Sequence, residues 1–296
     1  MGSVIKILII IVLAIVFILI IYVVIRILFY PVPCQHELHY GIEQYSLIPR
    51  VIYTFWHDEK LPVTVQKCIA SWRKYNPEYE IVILNDKNYI DYIGVDVTQF
   101  RHCDCPQRKA DFIRLYVLEQ NSGVWMDASI YLNHSLDWIH AYQKKEGSEM
   151  IVYYLDAFTT NPNYKVMENW FIAACPGSQF IKHWREEFCS INNYPTIKAY
   201  LDNISQHTDL QKIHAREYLC MHCSGQAVLQ RPHTNYNISF ICAEDTAFYY
   251  NKVLDWWMFL LPIYKYKKSF KTSIVKFRGG ERVIIEKLSS IGYNII

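Results

Sequence analysis

Lys109-Ala110-Asp111-Phe112-Ile113-Arg114-Leu115 and, a short way on, Gly123-Val124-Trp125-Met126-Asp127-Ala128-Ser129 decide how this chain is read. From Pro106 to about Gln120 the apolar residues Phe112, Ile113, Tyr116 and Val117 follow helical spacing. Gly123 is placed where a C-terminal glycine would end that helix. Val124-Trp125-Met126 then reads as a short strand, with Asp127 at its carboxyl end. Asp111 and Arg114 are three apart and share a helical face. Taken singly, such an acid–arginine pair is usually solvated, and an aspartate after a strand is usually a turn or a cap. Together they form a candidate site.

Upstream lies a strand–helix–strand unit. Val51-Ile52-Tyr53-Thr54-Phe55-Trp56 is β-branched and aromatic, which predicts a strand. Pro62 opens a helix at its first turn, and Asn76-Pro77 ends it after Tyr75. Glu80-Ile81-Val82-Ile83-Leu84 is the second strand. Such units are parallel with a right-handed crossover, and their ligands sit at the carboxyl ends of the strands. Trp56, His57 and Asp86 therefore belong to the same candidate site. The Gly-x-Gly-x-x-Gly fingerprint is missing after the first strand, which argues against a dehydrogenase.

The chain has 296 residues, 52% apolar and 20% charged, with a net charge of +2. That composition excludes a disordered chain, and the near-balanced charge argues against a nucleic-acid partner. Every residue from Ile7 to Ile25 is apolar. A membrane-spanning helix needs about 20 such residues. The run ends in Arg26, Tyr30, Pro31 and Pro33 without a small-residue cleavage site, so residues 1–30 are expected to be an uncleaved anchor. Residues 31–47 read as a stem. Lys6 before the span weakly favours a cytoplasmic N-terminus. The expectation is a single-pass, type II protein with a lumenal Golgi or ER domain; the alternative is a bacterial or viral membrane-associated protein. Sequons at Asn133, Asn203 and Asn237 lend the lumenal placement weak support.

Four segments in order resemble one family. These are Ile48-Pro49-Arg50-Val51-Ile52-Tyr53-Thr54-Phe55-Trp56, Cys68-Ile69-Ala70-Ser71-Trp72 with Asn76-Pro77-Glu78-Tyr79-Glu80, the Lys109–Ser129 stretch, and Glu168-Asn169-Trp170-Phe171-Ile172-Ala173-Ala174. They resemble the capsular polysaccharide synthesis proteins, near the DXD-type sugar transferases of glycosyltransferase family 32. The resemblance covers roughly residues 48–190. It implies an α/β, GT-A-like nucleotide-sugar-binding fold with a Rossmann-like mixed sheet, over 48–245 and completed by 246–296, behind the single transmembrane helix. It also implies a hexosyltransferase, generally retaining, with a nucleotide-sugar donor, a glycan or glycolipid acceptor and Mn²⁺ or Mg²⁺.

By the same resemblance, Trp56 would stack on the base, and Asp111 and Arg114 would meet the donor. Asp127 would serve the donor and the metal, and Asn169 would lie beside the donor sugar; Asp127 and Asn169 are the catalytic candidates. Ser129 stands where the third position of the signature is commonly aspartate. A neutral hydroxyl is a weak ligand for a hard cation. The metal would lean on Asp127, Ser129, the donor's diphosphate and a further group, for which Glu244 or Asp245 is a candidate. Ser129 also motivates the rival reading, an inactive anchored scaffold or glycan-binding protein. Lys271, Lys276, Arg278 and Arg282 gather with Gly279-Gly280, and Lys276 and Arg278 are the phosphate-binding candidates. The plainer reading there is a solvated turn between strands Ser273–Phe277 and Arg282–Ile285. His102-Cys103-Asp104-Cys105 and Cys220-Met221-His222-Cys223 have poor spacing for zinc, leaving disulfides or free thiols. Asp255–Pro262 fits either a membrane-surface segment or a packed helix.

Overall fold

The computed structural model describes residues 2–30, 45–267 and 272–296. In chain order the elements are α1 (Gly2–Phe29), β1 (Val51–Phe55), α2 (Val63–Tyr75), β2 (Glu80–Leu84), α3 (Tyr89–Ile93), α4 (Pro106–Asn121), β3 (Gly123–Met126) and β4 (Ile130–Leu132). There follow α5 (Trp138–Glu146), β5 (Met150–Tyr154), β6 (Met167–Ala174), α6 (Gln179–Cys189), α7 (Ile197–Ile204) and α8 (Cys220–Leu229). The chain closes with β7 (Ile238–Cys242), α9 (Tyr249–Val253), a 3-10 helix (Met258–Lys267), β8 (Ile274–Lys276) and α10 (Gly279–Ser290).

The mixed α/β sheet implied by the resemblance is what the chain forms. Its strand order is β2-β1-β3-β6-β5-β7. The β2-β1-β3 half is parallel, β6 runs antiparallel to β3 and β5, and β7 is parallel to β5. Alternate side chains leave opposite faces of a strand. Accordingly Tyr53, Trp125 and Ile172 enter one core with α4, α6 and α8, while Ile52, Val124 and Phe171 enter a second core with α2. Both faces are covered, so all four residues of β3 are buried.

A second sheet of two strands is formed by β4 and β8, with Ile130 opposite Lys276. The Trp72 indole donates to the Ile130 carbonyl (2.7 Å), and the Leu132 N–H donates to the Ser71 hydroxyl (2.9 Å). These bonds lock β4 to α2 and fix where β8 can lie.

Several expectations are corrected. Pro62 is the residue before α2, not its first residue. Gly123 does stand just past α4, directly after the Ser122 cap (φ 57°), and with φ 104° it also begins β3. A Cβ at Gly123 would come within 2.8 Å of the Val51 carbonyl, so the close β1–β3 approach requires glycine. Arg282–Ile285 is not a strand but lies inside α10, whose first turn is capped by the Glu281 carboxylate accepting the Arg278 N–H (2.7 Å). The described cysteines are free thiols, which removes the disulfide alternative among them. Asp255–Pro262 is not a packed helix: it runs into the 3-10 helix with Trp256, Trp257, Met258 and Phe259 exposed. Lys271 and most of the stem lie outside the described residues.

One helix, over Ile5–Phe29, is long and apolar enough to cross a membrane, and nearly all of it stands clear of the rest of the chain. Its far end is clamped. Arg26 donates to the Lys252 and Val253 carbonyls (2.8 and 3.2 Å) and pairs with Asp255 (2.7 Å), and Tyr22 also donates to Asp255.

Candidate functional site

A cleft of about 590 Å³ opens at the carboxyl ends of β1 and β3, bounded by α4, β6, α8 and the chain from Lys276 to Arg282. The sheet places Trp56 and Asp127 directly after their strands, as expected at such an edge. All eight candidates Trp56, Asp111, Arg114, Asp127, Ser129, Asn169, Lys276 and Arg278 line it.

Arg114 is the hub. Its guanidinium is 3.1 Å from Asp111 and 3.5 Å from Asp127, and it donates to the Ala110 and Asn169 carbonyls. It also stands 5.0 Å from the Trp125 ring centre. With Arg114 4% and Asp111 7% exposed, the solvated-pair reading does not hold. The Asn169 side-chain amide donates to Asp111 (3.0 Å), so Asn169 is both hydrogen-bonded and part of the wall.

Asp127 is held from three sides. Trp125 Nε1 donates to Oδ1 (3.2 Å), Arg114 faces Oδ1, and Lys276 Nζ donates to Oδ2 (2.7 Å). Lys276 Nζ also donates to the Ser129 hydroxyl (2.8 Å). Burial alone would raise the Asp127 carboxyl, but the charges of Lys276 and Arg114 outweigh it and hold the group below the usual range. Asp111 moves the other way: burial raises it, and Arg114 and Arg108 only partly compensate. Burial lowers Lys276, with Asp127 pulling it back.

Among the lining residues, five cationic side chains (Arg108, Arg114, Lys276, Arg278, Arg282) face three carboxylates (Asp111, Asp127, Glu168). That excess suits an anion. The Arg282 guanidinium lies 5.3 Å from the Trp56 ring centre, which brings the C-terminal wall against the expected base platform. Arg278 lines the cleft but is engaged elsewhere. It donates twice to Glu281 (2.6 and 2.9 Å) and lies over the Trp256 ring, which weakens it as a phosphate ligand.

Other sequence candidates fall away from the cleft. Glu244 accepts the N–H groups of Asp156 and Ala157, and Asp245 pairs with Lys252 (2.6 Å), so neither supplies the further metal group. Asp86 pairs with Lys109 (2.7 Å) outside the lining. The two Cys–His segments form no metal cluster: among the described residues no group of three or more His, Cys, Asp or Glu is placed to hold an ion. Sequence reasoning gave no role to Glu168 or Tyr218, and weighed His222 only for zinc. His222 Nε2 is 3.0 Å from Glu168, both are buried in the wall, and His222 Nδ1 has no partner. Glu168 adjoins Asn169 in the quoted segment, the one signal that could have pointed to it.

The donor set around Asp127 does not suit a divalent cation. It offers one carboxylate and one neutral hydroxyl, and an ammonium already bridges them. Hard cations take six to eight oxygens, or a near-ideal octahedron, and need carboxylate charge.

A family model described as capsular polysaccharide synthesis protein matches residues 35–218. The O-glycosyltransferase braB of Annulohypoxylon truncatum is 30% identical over 157 residues, 46% of this chain and 36% of that protein. Inositol phosphoceramide mannosyltransferase 3 of Schizosaccharomyces pombe is 26% identical over 106 residues, 34% of this chain and 29% of that protein. The matches thus span about a third of the length of these relatives. Among solved structures, a glycosyltransferase involved in the glycosylation of the major capsid of PBCV-1 aligns over 81% of this chain and 98% of its own, at 8% identity and a TM-score of 0.46.

Proposed function

Because the chain belongs to the capsular polysaccharide synthesis protein family, we propose that it is a glycosyltransferase that moves a hexose from a nucleotide sugar to a glycan or glycolipid, held at a membrane by α1. The observation that carries this reading is the convergence of Asp111, Arg114, Asp127, Asn169 and Lys276 on one cationic cleft at the carboxyl ends of parallel strands. Both curated relatives bear glycosyltransferase names, which supports the same reading.

In the reaction, the bond from the sugar C1 to the diphosphate oxygen breaks and its electron pair stays on that oxygen. The acceptor hydroxyl oxygen bonds to C1, with retention as the resemblance implies, and its proton goes to the departing phosphate. The protein must therefore hold a growing negative charge, and fixed cations in a partly dry cleft do this without reorganising. Arg114 and Lys276 are so fixed. Trp56 offers its ring to the base. Asp111, kept in place by Arg114 and Asn169, is positioned for hydroxyls of the ribose or donor sugar. A wider groove of about 710 Å³, including His214 and Arg216, meets the cleft at Tyr218 and gives the acceptor a path.

The divalent cation implied by the resemblance does not fit the Asp127–Ser129 pair as folded, and no step here is routed through one. The chain is taken as single-pass with a lumenal domain. Asn203 is the exposed sequon, whereas the amides of Asn133 and Asn237 are bound to the Thr272 and Gly147 carbonyls.

The test is donor turnover by the full chain in detergent, read as nucleoside diphosphate release from a panel of nucleotide sugars. Asp127→Asn, which keeps the volume and removes the charge, should lower turnover by about 10²–10³-fold, the scale of losing a preorganised electrostatic group. Ser129→Ala should cost about tenfold or less, because it removes one acceptor of a side chain that keeps another. Full activity in Asp127→Asn alongside loss in Ser129→Ala would reverse these roles. Glycan binding without any donor turnover by the unsubstituted chain would favour the scaffold reading.

A further inference from the structure

We infer that the Lys276 ammonium holds the position of a divalent cation between Asp127 and Ser129, and that this chain binds its donor's diphosphate without metal. The inference rests on the glycosyltransferase reading and goes beyond it.

The geometry is specific. Lys276 Nζ is 2.7 Å from Asp127 Oδ2 and 2.8 Å from Ser129 Oγ, so it spans the two positions of the signature. An ammonium has three N–H groups. Two are used by these acceptors, and among the described residues none takes the third. Lys276 is 8% exposed and lines the cleft, so that remaining donor has little to face but the cleft contents.

The position is built by the fold and does not depend on a flexible side chain finding its partner. Lys276 is the last residue of β8, set opposite Ile130 by the β4 register. The Phe277 N–H donates to the Ser129 carbonyl (3.0 Å) and the Lys276 N–H to the Ala247 carbonyl (3.1 Å). The backbone is thus tied on both sides of the signature before the side chain makes any contact.

Charge explains why serine occupies position 129. A metal of charge +2 needs carboxylates around it, and a serine there is a poor ligand. An ammonium of charge +1 is balanced by Asp127 alone, and a neutral hydroxyl completes its shell. A second carboxylate there would halve the cationic excess of the cleft lining, from two charges to one. A dication placed on Asp127 Oδ2 would meet the ammonium at close range, and like charges so near one another are strongly unfavourable.

The test measures nucleotide affinity, not turnover. Binding of UDP and GDP to the full chain in detergent is followed by calorimetry in excess EDTA and in excess Mn²⁺. In parallel, the free-Mn²⁺ paramagnetic resonance signal is recorded with protein but no nucleotide. Wild type should bind one of the two nucleotides with the same affinity in both buffers, within about threefold, and should leave the Mn²⁺ signal unchanged. Lys276→Met should weaken binding in EDTA by about tenfold or more, the scale of one charge-assisted hydrogen bond. Lys276→Arg, which keeps the charge, should stay within about tenfold of wild type in EDTA. The inference is overturned if wild type binds only with Mn²⁺, if the protein alone takes up Mn²⁺, or if a folded Lys276→Met binds normally in EDTA. Should Lys276→Met fail to fold, the wild-type comparison between buffers and the Lys276→Arg arm still decide. Binding of neither nucleotide in either buffer would overturn the donor reading itself, an outcome distinct from binding that appears only with Mn²⁺.

Discussion

Replacing Arg114 by methionine removes the cation that separates two carboxylates while keeping most of the side-chain bulk. Arg114 is buried, pairs with Asp111 and Asp127, and donates to two backbone carbonyls. Asp127 retains Lys276, but Asp111 would keep only the Asn169 amide as a close partner, with the charge of Arg108 farther off. Breaking a buried pair by removing one partner typically costs about 3–5 kcal/mol, because the other charge is left behind. For a domain of this size about 3–5 kcal/mol corresponds to a fall of roughly 10 °C in Tm.

The loss should depend on pH, with a definite sign. Asp111 already titrates above the ordinary carboxylate range because of burial, with Arg114 first among the charges that lower it. An acid whose pKa is raised by folding contributes stability at pH below its unfolded value, and that contribution is lost as pH rises through the folded value. Without Arg114 the folded value climbs further, and each unit is worth about 1.4 kcal/mol. The deficit of the variant relative to wild type should therefore shrink toward acid, as Asp111 takes a proton, and should grow toward alkaline pH. Thermal unfolding of both proteins across a pH series measures it. A deficit below about 1 kcal/mol at alkaline pH, or one that does not change with pH, would refute the role of Arg114 as the charge that keeps Asp111 ionised. Arg114→Lys, if Arg114→Met does not fold, should show the same trend at smaller size, since lysine keeps the charge but loses the fork.

Two further outcomes follow from the geometry. Trp56→Ala should weaken nucleotide affinity by about 5- to 150-fold, on the scale of base stacking of about 1–3 kcal/mol, and calorimetry on a folded variant that finds no change would reduce Trp56 to a packing residue. Gly123→Ala should destabilise by about 2 kcal/mol or more, because residue 123 has φ 104° and an added Cβ would meet the Val51 carbonyl; an unchanged Tm would show that the β1–β3 contact yields freely.

The first half of the fold is legible because its signals are local. β1, α2 and β2 are bounded by proline, asparagine and alternating strand residues, and their pairing follows from the handedness of the crossover. Asp111 and Arg114 meet because helical spacing demands it. Other features had no local signature. β5 is a run of five apolar residues, which periodicity alone cannot tell from a buried helix segment. The segment after Arg278 looks β-branched, yet it forms α10, with the Glu281 carboxylate capping the Arg278 N–H at its start. The contact of Lys276 with Asp127 joins residues 149 apart, and it exists because β4 is locked to α2 and β8 then pairs with β4. The His222–Glu168 pair likewise depends on α8 packing over β6.

The same C-terminal stretch ties the cleft to α1. Asp255 receives Arg26 from α1, and its neighbour Trp256 lies against the Arg278 guanidinium. Asn251 donates to Glu281 (2.5 Å), the residue that caps α10. Met258 lies so close to Gly280 of this wall that a Cβ there would come within 2.5 Å of its sulfur. Lys276 precedes that wall and is itself paired to β4, so the ammonium is located by backbone contacts on both sides. A group located in this way can stabilise charge as it forms, whereas a mobile lysine would first have to be ordered. Asp127, Ser129 and Lys276 then act as one unit, and substitutions within such a unit are not additive. The loss on changing Asp127 and Lys276 together should therefore be less than the sum of the two single losses, because either single change already breaks the contact between them.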